Sequence, residues 1–100
     1  MGTSYKTGVE LIAQERQEQI EKHGRTVALD DARNQNGQLL WAAAHLLAED
    51  FTEQLEDCCP DGWDEEIWDR MRSKTPMERL IMAGALVAAE IDRLNYRHDG

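Results

Sequence analysis

Residues 75–94 read TPMERLIMAGALVAAEIDRL, and this stretch decides the fold. Thr75, then Pro76, then Glu78 form the pattern of a capping box with proline at the first helical position, which is typical of a helix start. Apolar residues then keep the helical period for four turns, at Leu80, Ala83, Gly84, Val87, Ile91 and Leu94. Because Ile81, Ala85 and Ala88 widen this surface, we predict a long helix that is buried on more than one side.

Three further helices are predicted before it. The first covers residues 5–23 and ends at Gly24, a typical glycine position just beyond a helix. The second covers residues 37–57, and a short third helix covers residues 63–71 after the strong break at residues 58–62. The apolar stripe of the first helix contains Val9, Ile12, Ala13, Arg16 and Ile20. The predicted core face of the second contains Leu40, Ala43, Ala44, Leu47, Phe51 and Leu55.

The pattern as a whole predicts an all-α fold. No period-two strand pattern and no internal repeat occurs, and residues 25–35 are predicted to be a connecting loop. We therefore expect a single domain over residues 1–100, built as a helical bundle of three long helices and one short helix. A chain of this length buries a low fraction of its surface, so a homo-oligomer is expected.

The charge and hydropathy of the chain limit the kinds of partner that it can bind. The chain has 11 Lys and Arg against 20 Asp and Glu, a net charge of −9. Such an acidic surface repels nucleic-acid polymers, so we expect none as a partner. No apolar run approaches the ~20 residues of a membrane span, and residues 1–6 lack the apolar run of a signal peptide. With adjacent cysteines at 58 and 59 interpreted as reduced thiols, we expect a cytoplasmic protein without membrane contact.

Arg16 is the most unusual candidate because a permanent charge lies within an apolar stripe. It requires a buried partner, and Glu90, beside the core stripe of the last helix, is the predicted one. Two interpretations stay open: a structural ion pair, or two groups that line a pocket and meet a polar ligand.

Other polar groups could carry chemistry or merely face solvent. Glu15, Glu18 and Glu21 follow one another at spacings of three, as ligands of a divalent cation or as a solvated face. Asp30 and Asp31 could hold a metal or cap a helix. Trp41 and His45 lie one turn apart and could stack a base or contact a second copy. Around the start of the last helix, a basic cluster suits a phosphate; it contains Arg70, Arg72, Lys74 and Arg79.

A resemblance adds to these observations. Short phage and prophage proteins, grouped loosely with the all-α MazG-like nucleotide pyrophosphohydrolases, resemble this chain at residues 15–20 (ERQEQI), Gly24, Asp30–Asp31, residues 37–39, Ala42–Ala43 and the closing residues 80–94. The resemblance implies a helical oligomer with a nucleotide-sized pocket between its helices. MazG-like enzymes bind magnesium through an ExxE pair and an ExxD pair on core helices.

This sequence departs from that enzymatic pattern. Arg93 occupies the fourth position of the motif that begins at Glu90, and Gln38 stands where a glutamate is expected. Two other stretches contain the right acidic residues, but a break separates them; these residues are Glu53, Glu56, Glu66 and Asp69. The metal site implied by the resemblance is thus incomplete.

Three functions follow as hypotheses. The first is binding without turnover of a nucleotide or nucleotide-derived phosphate, with no cofactor, as in phage sequestration of a host signal. Its candidate ligand-binding residues are Arg16, Gln19, Asp31, Gln38, Trp41, His45, Arg79 and Glu90. The second is a Mg²⁺-dependent nucleoside triphosphate pyrophosphohydrolase with metal ligands Glu15, Glu18, Asp31 and Glu90. The third is a protein-interaction module that uses the acidic surface and the tryptophans.

Overall fold

The computed structural model describes residues 6–49 and 59–99 of the chain, with side chains described as far as residue 96. These residues form an all-helical fold, which confirms the predicted class. The helices are α1 (Gly8–His23), α2 (Val27–Arg33), α3 (Gln38–Ala48), α4 (Glu65–Arg72) and α5 (Pro76–Asp99). No helix in the described ranges has the length and apolar character needed to cross a membrane.

Local capping fixes several helix ends. The predicted capping box at the start of α5 is formed, since the Glu78 amide donates to Thr75 Oγ1 and the Thr75 amide donates to the Glu78 carboxylate. A second capping box, between Thr7 and Glu10, starts α1 at Gly8. Lys6 and Thr7 before it are not helical. Gly24 ends α1 in the left-handed conformation at φ 65°, as predicted.

The prediction of a loop over residues 25–35 is wrong, because Val27–Arg33 forms α2. The side chain of Thr26 accepts a hydrogen bond from the Leu29 amide and so caps this helix. At seven residues, α2 is too short to be stable alone. It depends on contacts with α5, which packs against α1, α2 and α3.

The hydrophobic core lies between α3, α4 and α5. It is built largely from small and flexible side chains around one tryptophan: Leu39, Ala42, Ala43, Leu46, Trp68, Met71, Met82, Ala83, Leu86 and Ala89. The helix α4 begins at Glu65, capped by Asp64, and contributes Trp68 and Met71.

The predicted core faces of α3 and α5 are confirmed at Ala43 and Ala83, but for the large aliphatic side chains they are wrong by about one residue. Leu40 and Leu47 are exposed on α3, whereas Leu39 and Leu46 are buried. On α5 the predicted stripe is also largely exposed, namely Leu80, Val87, Ile91 and Leu94. One residue turns a helix by about 100°, so the apolar stripe of each helix lies beside its buried face. The predicted extension of the second helix, with Phe51 and Leu55, lies outside the described residues.

The approach of α1 to α5 is close at Gly84. An added Cβ at this position would lie 2.6 Å from Ile12 Cδ1 and 2.8 Å from Ile12 Cγ1. Gly84 therefore permits a helix contact that a larger residue would obstruct.

We expect Gly84→Val to lower the free energy of unfolding by about 1–3 kcal/mol through overpacking against Ile12. The matched control is Gly8→Val, since nothing lies within 4 Å of a Cβ at Gly8. Urea denaturation at one protein concentration measures both. The double variant Gly84→Val with Ile12→Ala should lose less free energy of unfolding than the two single variants lose together. A loss equal to their sum would contradict the contact between Gly84 and Ile12.

Candidate functional site

A buried ion pair on α5 is the centre of the polar interior. Arg93 Nε donates to Glu90 Oε1 at 2.8 Å, and Arg93 Nη2 donates to Glu90 Oε2 at 2.9 Å. Both residues are 6 % exposed. Arg93 Nη1 also lies 3.5 Å from Asp31 Oδ1 on α2. One arginine therefore pairs with two carboxylates and ties α2 to α5.

Arg16 forms a second part of the interior. It is buried, as its place in an apolar stripe predicted, and its guanidinium lies 3.9 Å from Asp30 Oδ2 and 3.5 Å from Asp92 Oδ2. Arg16 Nη1 donates to the carbonyl of Arg25 at 3.1 Å. The predicted ion pair with Glu90 is not formed among the described side chains, because Arg93, three residues further along the same helix, binds Glu90 instead.

Asp30 connects this interior to the turn before α4. Asn34 Nδ2 donates to Asp30 Oδ1 at 2.9 Å, and Trp63 Nε1 donates to Asn34 Oδ1 at 3.0 Å. The Arg25 guanidinium lies 4.4 Å from the centre of the Trp63 ring, within cation–π range. Burial raises the pKa of Asp30, while the hydrogen bond from Asn34 and the charges of Arg16 and Arg25 oppose that rise.

A cleft of about 630 Å³ lies between α1, α4 and the start of α5. Its apolar lining consists of Ile67, Met71, Ile81 and Met82. Its basic groups are His23, Arg25, Arg70 and Lys74, and its acidic groups are Glu15, Glu18 and Glu78. Gln19 completes the lining. The volume is in the range of small-molecule sites, and an apolar surface with a few polar groups is their usual composition.

Two buried polar atoms in the cleft lining have no hydrogen-bond partner among the residues that the structure describes. Gln19 is 4 % exposed, and its Oε1 lacks a donor although its Nε2 lies 3.4 Å from Glu15 Oε2. Arg25 Nη1 likewise lacks an acceptor. An unsatisfied buried polar group costs free energy that a ligand can recover. Burial also raises the pKa of Glu15, which favours its neutral form.

The predicted ligand residues are dispersed. Gln19 lines the cleft, whereas Arg16, Asp31 and Glu90 belong to the buried ion network. Gln38 is buried beside the start of α3, where its Oε1 accepts from the Asn36 amide and its Nε2 donates to the Arg33 carbonyl.

The aromatic pair and Arg79 also lie apart from the cleft lining. The rings of Trp41 and His45 are 4.2 Å apart at 32° on α3. Arg79 is buried, and its Nε donates to the carbonyl of Lys74 at 3.1 Å. Two members of the predicted basic cluster, Arg70 and Lys74, line the cleft. A third member, Arg72, instead donates two hydrogen bonds to the Glu49 carboxylate.

The predicted metal set does not converge. Glu15 and Glu18 line the cleft, whereas Asp31 and Glu90 are both bound by Arg93. Within residues 6–49 and 59–99, no group of three or more His, Cys, Asp or Glu side chains has the arrangement of a metal site. Glu66 and Asp69 are exposed on α4, and Glu53 and Glu56 lie outside the described residues.

The sequence interpretation missed Arg25 and His23 as cleft residues. His23 is in the last turn of α1, and Arg25 follows the left-handed Gly24. The Arg25 amide donates to the Gln19 carbonyl at 3.0 Å, which turns the chain back beside α1. Gly24 could have indicated the position of Arg25, because a left-handed glycine at a helix end turns the chain back so that the following residue lies beside the end of that helix.

We expect the buried pair on α5 to matter more for stability than a comparable half-exposed pair. Glu90→Gln leaves Arg93 with a weakened partner and should lower the free energy of unfolding by about 3 kcal/mol. Glu49→Gln is the matched control, because Glu49 also meets an arginine at two points but is 26 % exposed; it should cost under about 1 kcal/mol. Equal losses in urea denaturation would contradict the buried role of Glu90.

The raised pKa of Asp30 predicts a pH dependence. Between the ordinary value of 3.8 and the raised pKa, the folded protein holds a proton that the unfolded chain has released, so this group makes stability fall as pH rises. Asp30→Asn removes this titration. We therefore compare the free energies of unfolding of the two proteins. The difference, wild type minus Asp30→Asn, should decrease as the pH rises from about 4 and then become constant. An increase over the same range would mean that Arg16 and Arg25 outweigh burial.

Comparison of the chain with protein-family models, with curated proteins and with solved structures gives no match. The resemblance to MazG-like proteins is thus neither supported nor opposed by a relative. The chemistry of the cleft follows from its own geometry and charges.

Proposed function

We propose that the chain binds a nucleotide or nucleotide-derived phosphate in the cleft between α1, α4 and α5, without turning it over. The observation that carries this proposal is the buried acceptor Gln19 Oε1, which has no donor and belongs to the lining of a cleft with four basic side chains. A ligand with both a hydrogen-bond donor and an anionic group matches these two features.

The two parts of such a ligand correspond to different parts of the lining. Aliphatic and thioether side chains, among them Met71 and Met82, offer a surface for a planar base. Arg70 and Lys74 are exposed, so their charges are free to meet a phosphate at the mouth of the cleft. An amide such as Gln19 reads the polar edge of a base through donor and acceptor positions.

The acidic side chains limit which anions fit. Glu18 and Glu78 repel a highly charged phosphate chain, so a ligand with few negative charges is favoured over a triphosphate. Burial raises the pKa of Glu15, so its charged form is less favoured than that of an exposed glutamate. A phage protein with such a site would sequester a signalling nucleotide, and that is the setting we propose.

Calorimetry of the wild-type chain tests the proposal with a panel of nucleoside mono- and triphosphates, cyclic dinucleotides and ADP-ribose. We expect at least one member to bind, and the members with fewer charges to bind more tightly than the triphosphates. No heat of binding across the panel would overturn the proposal.

Variants of the cleft then locate the bound ligand. Arg70→Gln and Lys74→Gln should each weaken binding about tenfold, which corresponds to ~1.4 kcal/mol. Gln19→Leu should weaken binding as well but should not alter its salt dependence, because no charge is lost. Lys22→Gln is the matched control, since Lys22 is an exposed cation on α1 outside the cleft lining. Equal weakening by Lys22→Gln would indicate non-specific attraction of the anion.

A further inference from the structure

Six large aliphatic side chains on α3 and α5 face solvent. On α5, Leu80, Val87, Ile91 and Leu94 are between 38 % and 56 % exposed. On α3, Leu40 and Leu47 are 49 % and 43 % exposed. Leu80, Val87 and Leu94 recur every seven residues, as do Leu40 and Leu47. That repeat is typical of a stripe which packs against another helix.

The two stripes lie on the same side of the molecule. Glu49 follows α3 and pairs with Arg72, which comes just before α5, so the end of α3 is near the start of α5 and the two helices run antiparallel.

The position of each stripe relative to the core is the same on both helices. Every exposed aliphatic residue follows a buried residue directly, as Leu40 follows Leu39 and Val87 follows Leu86. Each stripe is thus turned from the buried face by about 100° in the same sense. In an antiparallel pair of helices, equal turns of the same sense point to one side. We call the resulting surface, made of the six aliphatic residues, the α3–α5 face.

The α3–α5 face is almost free of charge. The whole of α3 contains no Asp, Glu, Lys or Arg, and residues 80–89 of α5 contain none either, in a chain with 31 % charged residues. A helix whose outer side remains in water normally carries polar residues there. Two copies with a net charge of −9 each repel one another least where such surfaces meet.

The size of the face fits one side of a dimer interface. Its exposed side-chain area is on the order of 500 Å², within the roughly 300–600 Å² of the largest apolar patch on a typical monomer, a patch that is often functional. It is roughly two thirds of the ~800 Å² that each partner contributes to a standard interface. A partner other than the chain itself is usually selected by complementary charges, and this face offers none.

We propose that a second copy of this chain packs on the α3–α5 face, so that α3 and α5 of both copies form a two-fold symmetric four-helix bundle. Such an interface is self-complementary, since the same patch serves both copies. None of the six residues lines the cleft, so the proposal does not depend on the proposed function.

Sedimentation equilibrium of the full chain tests this proposal. We expect a mass of twice 11.4 kDa at micromolar concentrations. Ile91→Glu should raise the dissociation constant of the dimer at least about a hundredfold, because it buries one charge from each copy in the interface. Val9→Glu is the matched control: Val9 is 78 % exposed on α1, outside the face, and its change should leave the dimer intact.

A second variant on the other helix keeps the test decisive. Leu47→Glu on α3 should weaken the dimer as Ile91→Glu does, and circular dichroism should show both variants helical. If either variant loses its helices, the neutral change Ile91→Gln replaces it, with a weakening of about tenfold expected. A wild-type chain that stays monomeric overturns the proposal. A dimer that survives both glutamate variants, or that Val9→Glu disrupts equally, also overturns it.

Discussion

The pair formed by Glu90 and Arg93 constrains the rest of the structure. Two charges removed from water are costly unless each finds partners with good geometry. The two-point contact satisfies Glu90, and the remaining donor of Arg93 reaches Asp31 on α2. Arg16 on α1 lies within ion-pair distance of Asp30 and Asp92, at 3.9 Å and 3.5 Å, and its Nη1 donates to the carbonyl of Arg25. The need to neutralise these buried charges holds α1, α2 and α5 in one arrangement, which a core rich in alanine would specify less strictly.

The same polar interior organises the cleft. Arg16 donates to the carbonyl of Arg25, and Arg79 donates to the carbonyl of Lys74. Two buried arginines therefore fix the backbone at two residues whose side chains carry positive charge to the cleft. A site fixed in this way loses less conformational freedom when a ligand binds. Arg16 and Arg79, which the sequence suggested as ligand-binding residues, do not line the cleft but hold the backbone of two residues that do.

The sequence predicted the fold class and the helix ends better than the contacts between helices. Thr75, Glu78 and Gly24 act through neighbours in the chain, so their roles are visible in the local pattern. The helix α2 was missed because seven residues give little periodic signal and its stability comes from α5. Arg16 was correctly expected to be buried. The partner of Arg16 was predicted wrongly, because several carboxylates lie within its reach and Arg93, on the same helix as Glu90, binds Glu90 instead.

The misplaced core faces of α3 and α5 have a physical basis. Each helix has two adjacent surfaces suited to packing: a buried one that mixes small residues and polar groups with a few large apolar side chains, and an exposed one made largely of leucine, isoleucine and valine. Hydropathy selects the second as the core, because large aliphatic side chains gain most from burial. Small residues such as Ala42, Ala43 and Ala83 instead let α3 and α5 approach closely inside the chain. The strongest apolar stripe is thus left on the outside, and covering it requires surface that the described part of one chain does not supply.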